Sequence, residues 1–215
     1  MHSRYKDIVV LKPWGYEYLV WENTNVAVWG LTINKNQSTS MHCHEHKTTG
    51  LVVVEGTIEL SFLGDKRILT APAKCMIRRG LFHSSKALSD VAVLLEIETP
   101  NNKEDVIRLH DHYGREGAGY ETKEYEMVRS MFPIYQPQKI QLGEHIIRNI
   151  SRMEWKDDNI YMILEGGFGK IIDDRKRYMV LPGDVGKGDI IRQVAKEANF
   201  TDSPTKILEV HYACE

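Results

Sequence analysis

The apolar residues of this chain fall into short runs separated by turn-forming residues, and this punctuation limits the folds open to it. Candidate strands in the first half are Tyr16–Trp21, Val26–Ile33, Leu51–Val54, Ile58–Leu63, Cys75–Ile77 and Val91–Ile97. In the second half they are Ile146–Ile150, Ile160–Leu164, Gly169–Ile172, Tyr178–Leu181 and Lys206–Tyr212. The runs are rich in β-branched and aromatic side chains, which suit a pleated, half-buried surface. Turn chemistry such as Leu63-Gly64-Asp65 and Ala71-Pro72 stands between them. No long amphipathic helix is visible in the first half. Many short strands spaced in this way predict an all-β sandwich or barrel.

The pattern occurs twice. Val53-Val54-Glu55-Gly56 is followed by Leu94-Leu95-Glu96-Ile97, and Ile163-Leu164-Glu165-Gly166 by Ile207-Leu208-Glu209-Val210. Gly56 and Glu96 are 40 residues apart; Gly166 and Glu209 are 43 apart. Each interval holds a strand, a turn (Leu63-Gly64-Asp65-Lys66 or Ile172-Asp173-Asp174-Arg175) and a second strand. The matched order points to duplication of one unit. The 215 residues are therefore expected as two small barrels, 1–116 and 139–215. The stretch 117–138, with its prolines, glycines and mixed charge, is expected as a linker with one short helix around Tyr120–Ser130.

Charge narrows the partners. With 28 basic and 30 acidic residues the net charge is −2, which gives no electrostatic reason to expect nucleic acid or an anionic membrane. The apolar run Ile8–Leu11 is too short for a signal-peptide core, and none approaches the 18 or so residues of a spanning helix. Cys43, Cys75 and Cys214 are odd in number and widely spaced, so neither a disulfide framework nor a CxxC site is expected. A reducing, cytoplasmic setting is the expectation.

Three of the nine histidines, His42, His44 and His46, alternate within Met41–Lys47. On a strand, alternation places all three on one face and Cys43 and Glu45 on the other. Convergent imidazoles suit zinc, iron or nickel. His83, after the glycine turn in Ile77-Arg78-Arg79-Gly80-Leu81-Phe82-His83, is a further candidate ligand. The second half has Gly186-Lys187-Gly188-Asp189-Ile190-Ile191 in the corresponding region, without a histidine. It also has no histidine cluster ahead of Ile163. Joint loss is expected if the cluster and His83 form one site, so the second barrel is predicted to lack a metal centre.

These residues resemble the cupin superfamily. Its first motif carries HxH, a glutamate five residues after the second histidine and a glycine seven further on; His42, His44 and Gly56 match. Its second motif matches Arg78-Arg79-Gly80-Leu81-Phe82-His83, with arginine in place of proline. The resemblance is closer to type II phosphomannose isomerases and to the cupin domain fused to mannose-1-phosphate guanylyltransferases. That subgroup opens on a basic-Pro-Trp-Gly motif, here Lys12-Pro13-Trp14-Gly15. It closes on a motif matched by Glu104-Asp105-Val106-Ile107-Arg108 and Asp111-His112-Tyr113-Gly114-Arg115. The chain departs from the pattern at Thr49, where an acidic ligand is usual, at His42, where glutamine is usual, and at Lys47, where arginine is usual.

The resemblance implies a divalent metal, zinc foremost and iron, manganese or nickel as alternatives, held by His42, His44 and His83. His46 could offer a fourth nitrogen. It implies a sugar-phosphate substrate and aldose–ketose isomerisation. Arg115 would stabilise negative charge at the reacting end, though Asp111 is also placed to hold it in a salt bridge. Lys47 would meet a phosphate or hydroxyl as a point charge. Glu96 and Glu98 share a strand face and are the candidate bases. Two other readings stay open: an iron oxygenase-like site, and a sugar-binding bicupin without catalysis. Edge-strand pairing makes a homodimer the expected assembly.

Overall fold

A computed structural model describes residues 4–118, 120, 127–129, 141–142, 145–149 and 155–211. The chain divides into two compact units, Met1–Pro137 and Gln138–Glu215. Among the described residues no helix is long and apolar enough to cross a membrane.

The first unit is built of two antiparallel sheets. The larger runs β12 (Met127–Arg129), β1 (Ile8–Lys12), β2 (Gly15–Glu22), β3 (Ala27–Asn34), β10 (Val91–Thr99), β5 (Thr48–Glu55) and β8 (Ala73–Ile77). The smaller runs β11 (Ile107–His110), β4 (Met41–Cys43), β9 (His83–Ala87), β6 (Thr57–Phe62) and β7 (Lys66–Thr70). Trp29, Leu31, Leu51, Val53 and Leu94 from the first sheet meet Ile58, Leu60 and Ala87 from the second in one core. On β9 the burial alternates, with His83, Ser85 and Ala87 buried and Ser84 and Lys86 less so. The sheet therefore carries His83 into the interior.

The second unit repeats this strand order. One sheet runs β13 (Gln141–Leu142), β14 (His145–Asn149), β20 (Lys206–Val210), β15 (Ile160–Glu165) and β18 (Val185–Lys187), matching β2-β3-β10-β5-β8. The other runs β17 (Arg175–Val180), β16 (Phe168–Ile172) and β19 (Phe200–Thr201), matching β7-β6-β9. Register agrees as well: Glu96 lies opposite Leu51, and Glu209 opposite Tyr161.

The paired Glu-Gly signature has a steric cause. Gly56 has φ +79°, and a Cβ there would lie 2.4 Å from the Val91 carbonyl oxygen. Gly166 has φ +74°, and a Cβ there would lie 2.5 Å from the Pro204 carbonyl oxygen. Gly56→Ala should cost about 1–3 kcal/mol through left-handed strain and this clash. An unchanged urea midpoint would contradict it.

Two expectations need correction. Residues 117–138 are more than a tether, because Tyr120 packs into the first core and Met127–Arg129 pairs with Ile8–Val10. A strand thus occupies part of the stretch expected as a short helix at Tyr120–Ser130; the rest of it, Tyr120 apart, lies outside the described residues. The second unit also contains a helix, α1 (Gly188–Glu197), that the strand reading did not anticipate. It sits between β18 and β19, where the first unit has the turn Arg78–Phe82. Its Ile191 packs against Tyr161 and Phe168, with Val194 and Ala195 at the margin.

Candidate metal centre

Three histidines meet at one point in the first unit. β4 lies beside β9 with His42 opposite His83. His44 follows β4 on the turn to β5. The ring centroids are 4.4 Å apart for His42–His83, 5.0 Å for His42–His44 and 5.4 Å for His44–His83. One ring nitrogen from each lies within 4.8 Å of the others.

The outward nitrogens decide the tautomers. His42 Nδ1 is 2.8 Å from the Ser40 carbonyl oxygen, His44 Nδ1 2.6 Å from that of Asp105, and His83 Nδ1 2.9 Å from that of Leu81. A carbonyl only accepts, so each Nδ1 carries the proton and each Nε2 keeps its lone pair. Burial holds the rings neutral: His42 lies well below the usual value, His44 is lowered to about 3 and His83 to about 4. His44 Nε2 is buried without a hydrogen-bond partner. An unpartnered buried acceptor beside two neutral imidazoles fits a divalent cation such as zinc.

These depressed values make a pH prediction. Unfolded imidazoles titrate near 6.5, whereas folded His44 and His83 titrate near 3 and 4. Between those limits the unfolded chain binds more protons. Stability of the metal-free protein should therefore fall as pH drops from about 6.5 toward 4. Urea midpoints at pH 7 and pH 5 that coincide would refute this.

Asp105 organises the turn that carries His44. Its carboxylate accepts the backbone N–H groups of Glu45 at 3.0 Å, His46 at 2.9 Å and Lys47 at 2.9 Å. Sequence reasoning did not single out this residue, although it lies in the Glu104-Asp105 motif. Asp105→Ala should strand the three donors and loosen the turn that carries His44, although the backbone carbonyl that receives its ring N–H remains. Metal affinity should drop about 10- to 100-fold, as for other groups that orient a ligand. Chelator competition giving the unmodified affinity would exclude that role.

His46 does not join the triad. Its side chain is 67% exposed and lies 3.7 Å from Glu45. β4 ends at Cys43, so strand alternation does not extend to position 46.

Beside the triad is a small, partly open cavity of about 60 Å³. Five cations line it (Lys12, Lys47, Lys103, Arg108 and Arg115) with three carboxylates, Glu17, Glu96 and Glu98. Lys47 Nζ is 2.8 Å from Glu98 Oε1, both residues being 1% exposed. Lys103 bridges Glu98 at 3.4 Å and Glu17 at 3.5 Å, and stands 3.9 Å over the Trp29 ring. Lys12 is 3.2 Å from Glu17, which also accepts the Tyr120 hydroxyl.

Position in this network sets each charge. Burial pushes Glu98 upward, but Lys103 and Lys47 outweigh it and keep it ionised. Burial likewise opposes the charge on Glu17, which Lys103 and Lys12 bring down to about 2. Burial lowers Lys12 to about 7 against the pull of Glu17. At Glu96 burial, then repulsion from Glu98, outweighs the pull of Lys103 and Lys47 and raises it to about 7. Arg115 is committed to Asp111, with Nε to Oδ2 and an Nη to Oδ1 each at 2.8 Å. It lines the cavity as an ion pair.

The all-β architecture and the buried triad of the first unit define a cupin. A family model described as mannose-6-phosphate isomerase C-terminal matches residues 2–111, and the chain belongs to that family. It is 27% identical over 117 residues to a mannose-1-phosphate guanylyltransferase of Klebsiella pneumoniae, covering 53% of this chain and 24% of that one. It is 26% identical over 109 residues to the xanthan biosynthesis protein XanB of Xanthomonas campestris pv. campestris, covering 49% of this chain and 23% of that one. The chain thus spans about a quarter of the length of these relatives. Among solved structures, KdgF from Halomonas sp. aligns with a TM-score of 0.42 and 18% identity, over 43% of this chain and 84% of that one.

Proposed function

We propose that the first unit is a divalent-metal-dependent sugar-phosphate isomerase, serving nucleotide-sugar or polysaccharide-precursor metabolism. The observation that carries this reading is the pairing of three neutral, convergent imidazoles with a cation-rich cavity containing a carboxyl group poised near neutrality. Family membership and the printed functions of the relatives support the sugar-phosphate class.

Bound at the triad, a divalent ion would polarise the sugar carbonyl and the adjacent hydroxyl. Glu96 is the proton carrier: it takes the proton from C2 of the aldose and returns it to C1 by way of an enediol, while the hydroxyl proton passes from O2 to O1. A group near pH 7 is matched to both directions of that transfer. The surplus of positive side chains favours a phosphorylated substrate. Lys47 contributes to that field while paired with Glu98, and Arg115 while paired with Asp111.

The test is interconversion of mannose 6-phosphate and fructose 6-phosphate by protein loaded with zinc, manganese, iron or nickel. Because ionised Glu96 is the base, kcat/KM should fall below about pH 7. Glu96→Gln should lower kcat by about 10²- to 10⁴-fold. A metal-loaded protein inactive across a panel of aldose phosphates would remove the reading; retained sugar binding would then favour a non-catalytic module. The reading includes a homodimer, which sedimentation showing only a 24.8 kDa species would exclude.

A further inference from the structure

The smaller sheet of the first unit carries a second cavity, of about 420 Å³, on its outer face. The sheet itself separates this groove from the triad. Alternation along β9 buries His83, Ser85 and Ala87 and turns Ser84 and Lys86 to the other face. Ser84 lies opposite Ser61 of β6, and Lys86 opposite Glu59; these four residues form the floor. The segment after β11 makes one wall. There the Tyr113 hydroxyl donates to Gln37 Oε1 at 2.8 Å and accepts the Ser38 N–H at 3.4 Å. Phe62 and Lys66 bound the end where β6 turns into β7. The groove is deep enough to bury Ser61 although it lies on the outward face. Its volume is that of a small-molecule site.

The lining selects the ligand. Asn36, Ser84 and Lys86 have side-chain donors that make no hydrogen bond among the described residues. Charge is nearly balanced. Of the two lysines, Lys66 is 2.9 Å from Glu59, which leaves Lys86 as the one outside an ion pair among the described residues. His110, at the rim, is 2.9 Å from Glu116. A phosphorylated or polyanionic ligand calls for a cluster of cations that this groove does not offer. Apolar surface comes from Met41, Phe62 and Tyr113, too little to hold an apolar ligand. The rest is amide and hydroxyl, groups that both donate and accept. A sugar ring has the complementary surface: hydroxyls around its edge that donate and accept, and a C–H face that packs against an aromatic side chain.

We propose that this outer groove is a binding site for an unphosphorylated saccharide. It is distinct from the cavity beside the triad, since the sheet stands between them and no metal ligand lines it. The site holds sugar without turnover, through Gln37, Ser84 and Lys86 on its floor and wall.

The test is titration of the intact chain, metal-free and zinc-loaded, with mannobiose and cellobiose, read from backbone amide shifts by NMR. At least one disaccharide should give saturable shifts at Gln37, Ser61, Ser84 and Lys86, with a dissociation constant below about 10 mM. The shifts should be the same with and without zinc. Ser84→Trp fills the groove from its floor and should weaken binding about 10-fold or more. Lys86→Met removes one hydrogen-bond donor and should weaken it about 2- to 10-fold. If Ser84→Trp does not fold, Gln37→Ala/Lys86→Met, at two partly exposed positions, is titrated in its place and should show the larger loss. Neither disaccharide binding would overturn the proposal. So would shifts confined to residues beside the triad, or an unchanged affinity in the folded variants. None of these outcomes bears on the isomerase reading, which turnover of sugar phosphate by the metal-loaded protein decides.

Discussion

Replacing His83 with alanine should leave a folded protein that no longer retains a divalent metal through dialysis. The fold should survive because β9 keeps its pairing with β6 along five register positions. The metal should not, because one of three convergent nitrogens is lost and the remaining two sit on a single segment. Groups that merely orient a ligand are worth about 10- to 100-fold in metal affinity, so loss of a ligand should cost about 100-fold or more. Metal analysis after dialysis, with chelator competition for the affinity, measures this. His46→Ala is the internal control: it removes an exposed imidazole from the same segment and should leave affinity unchanged. One equivalent of tightly held metal in His83→Ala would sink the assignment of the centre. Equal losses in both variants would point to non-specific binding by the histidine-rich turn.

The second large effect lies in the ion network. Lys103→Met should destabilise the first unit by about 3–5 kcal/mol, the usual cost of leaving buried charge uncompensated. Lys103 is the shared cation between Glu17 and Glu98, and both carboxylates are at least 96% buried. Methionine fills similar space, so the measured loss is chiefly electrostatic. Lys12 is already drawn down to about 7 and is a poor substitute as the sole partner of Glu17. Lys103→Arg retains the charge and should lose far less. At the scale of such a domain the methionine variant should melt about 10 °C lower. Equal melting temperatures for Lys103→Met and the unmodified protein would show that the carboxylates find other compensation.

Much of this was legible in the chain, and the exceptions share a physical cause. Strands β2, β3, β5, β6 and β10 announce themselves through dense apolar and β-branched runs. Strands β4, β7 and β9 do not, because Met41–Cys43, Lys66–Thr70 and His83–Ala87 are short or polar and are strands only because neighbours pair with them. Helix α1 escaped because its core-facing side amounts to Ile191 with Val194 and Ala195, behind glycines that read as a turn. His42, His44 and His83 were legible from alternation, a glycine turn and the resemblance. Asp105 was not, since its partners are backbone groups near position 46. Nor was the Lys12–Glu17–Lys103–Glu98 network, whose members come from separate segments. The Arg115–Asp111 pair was readable as a local alternative, and the structure places it in the cavity wall.

The Asp105 clasp bears on the order in which the site can assemble. His44 takes its ring orientation from a carbonyl 61 positions away, and the turn that carries it closes on the same distant residue. Closing a loop of that length is entropically slow and precedes the contacts that reward it. The imidazoles therefore become a rigid chelate only after β10 has formed and the segment following it has docked. Metal uptake during refolding should be a late event that reports completion of the barrel.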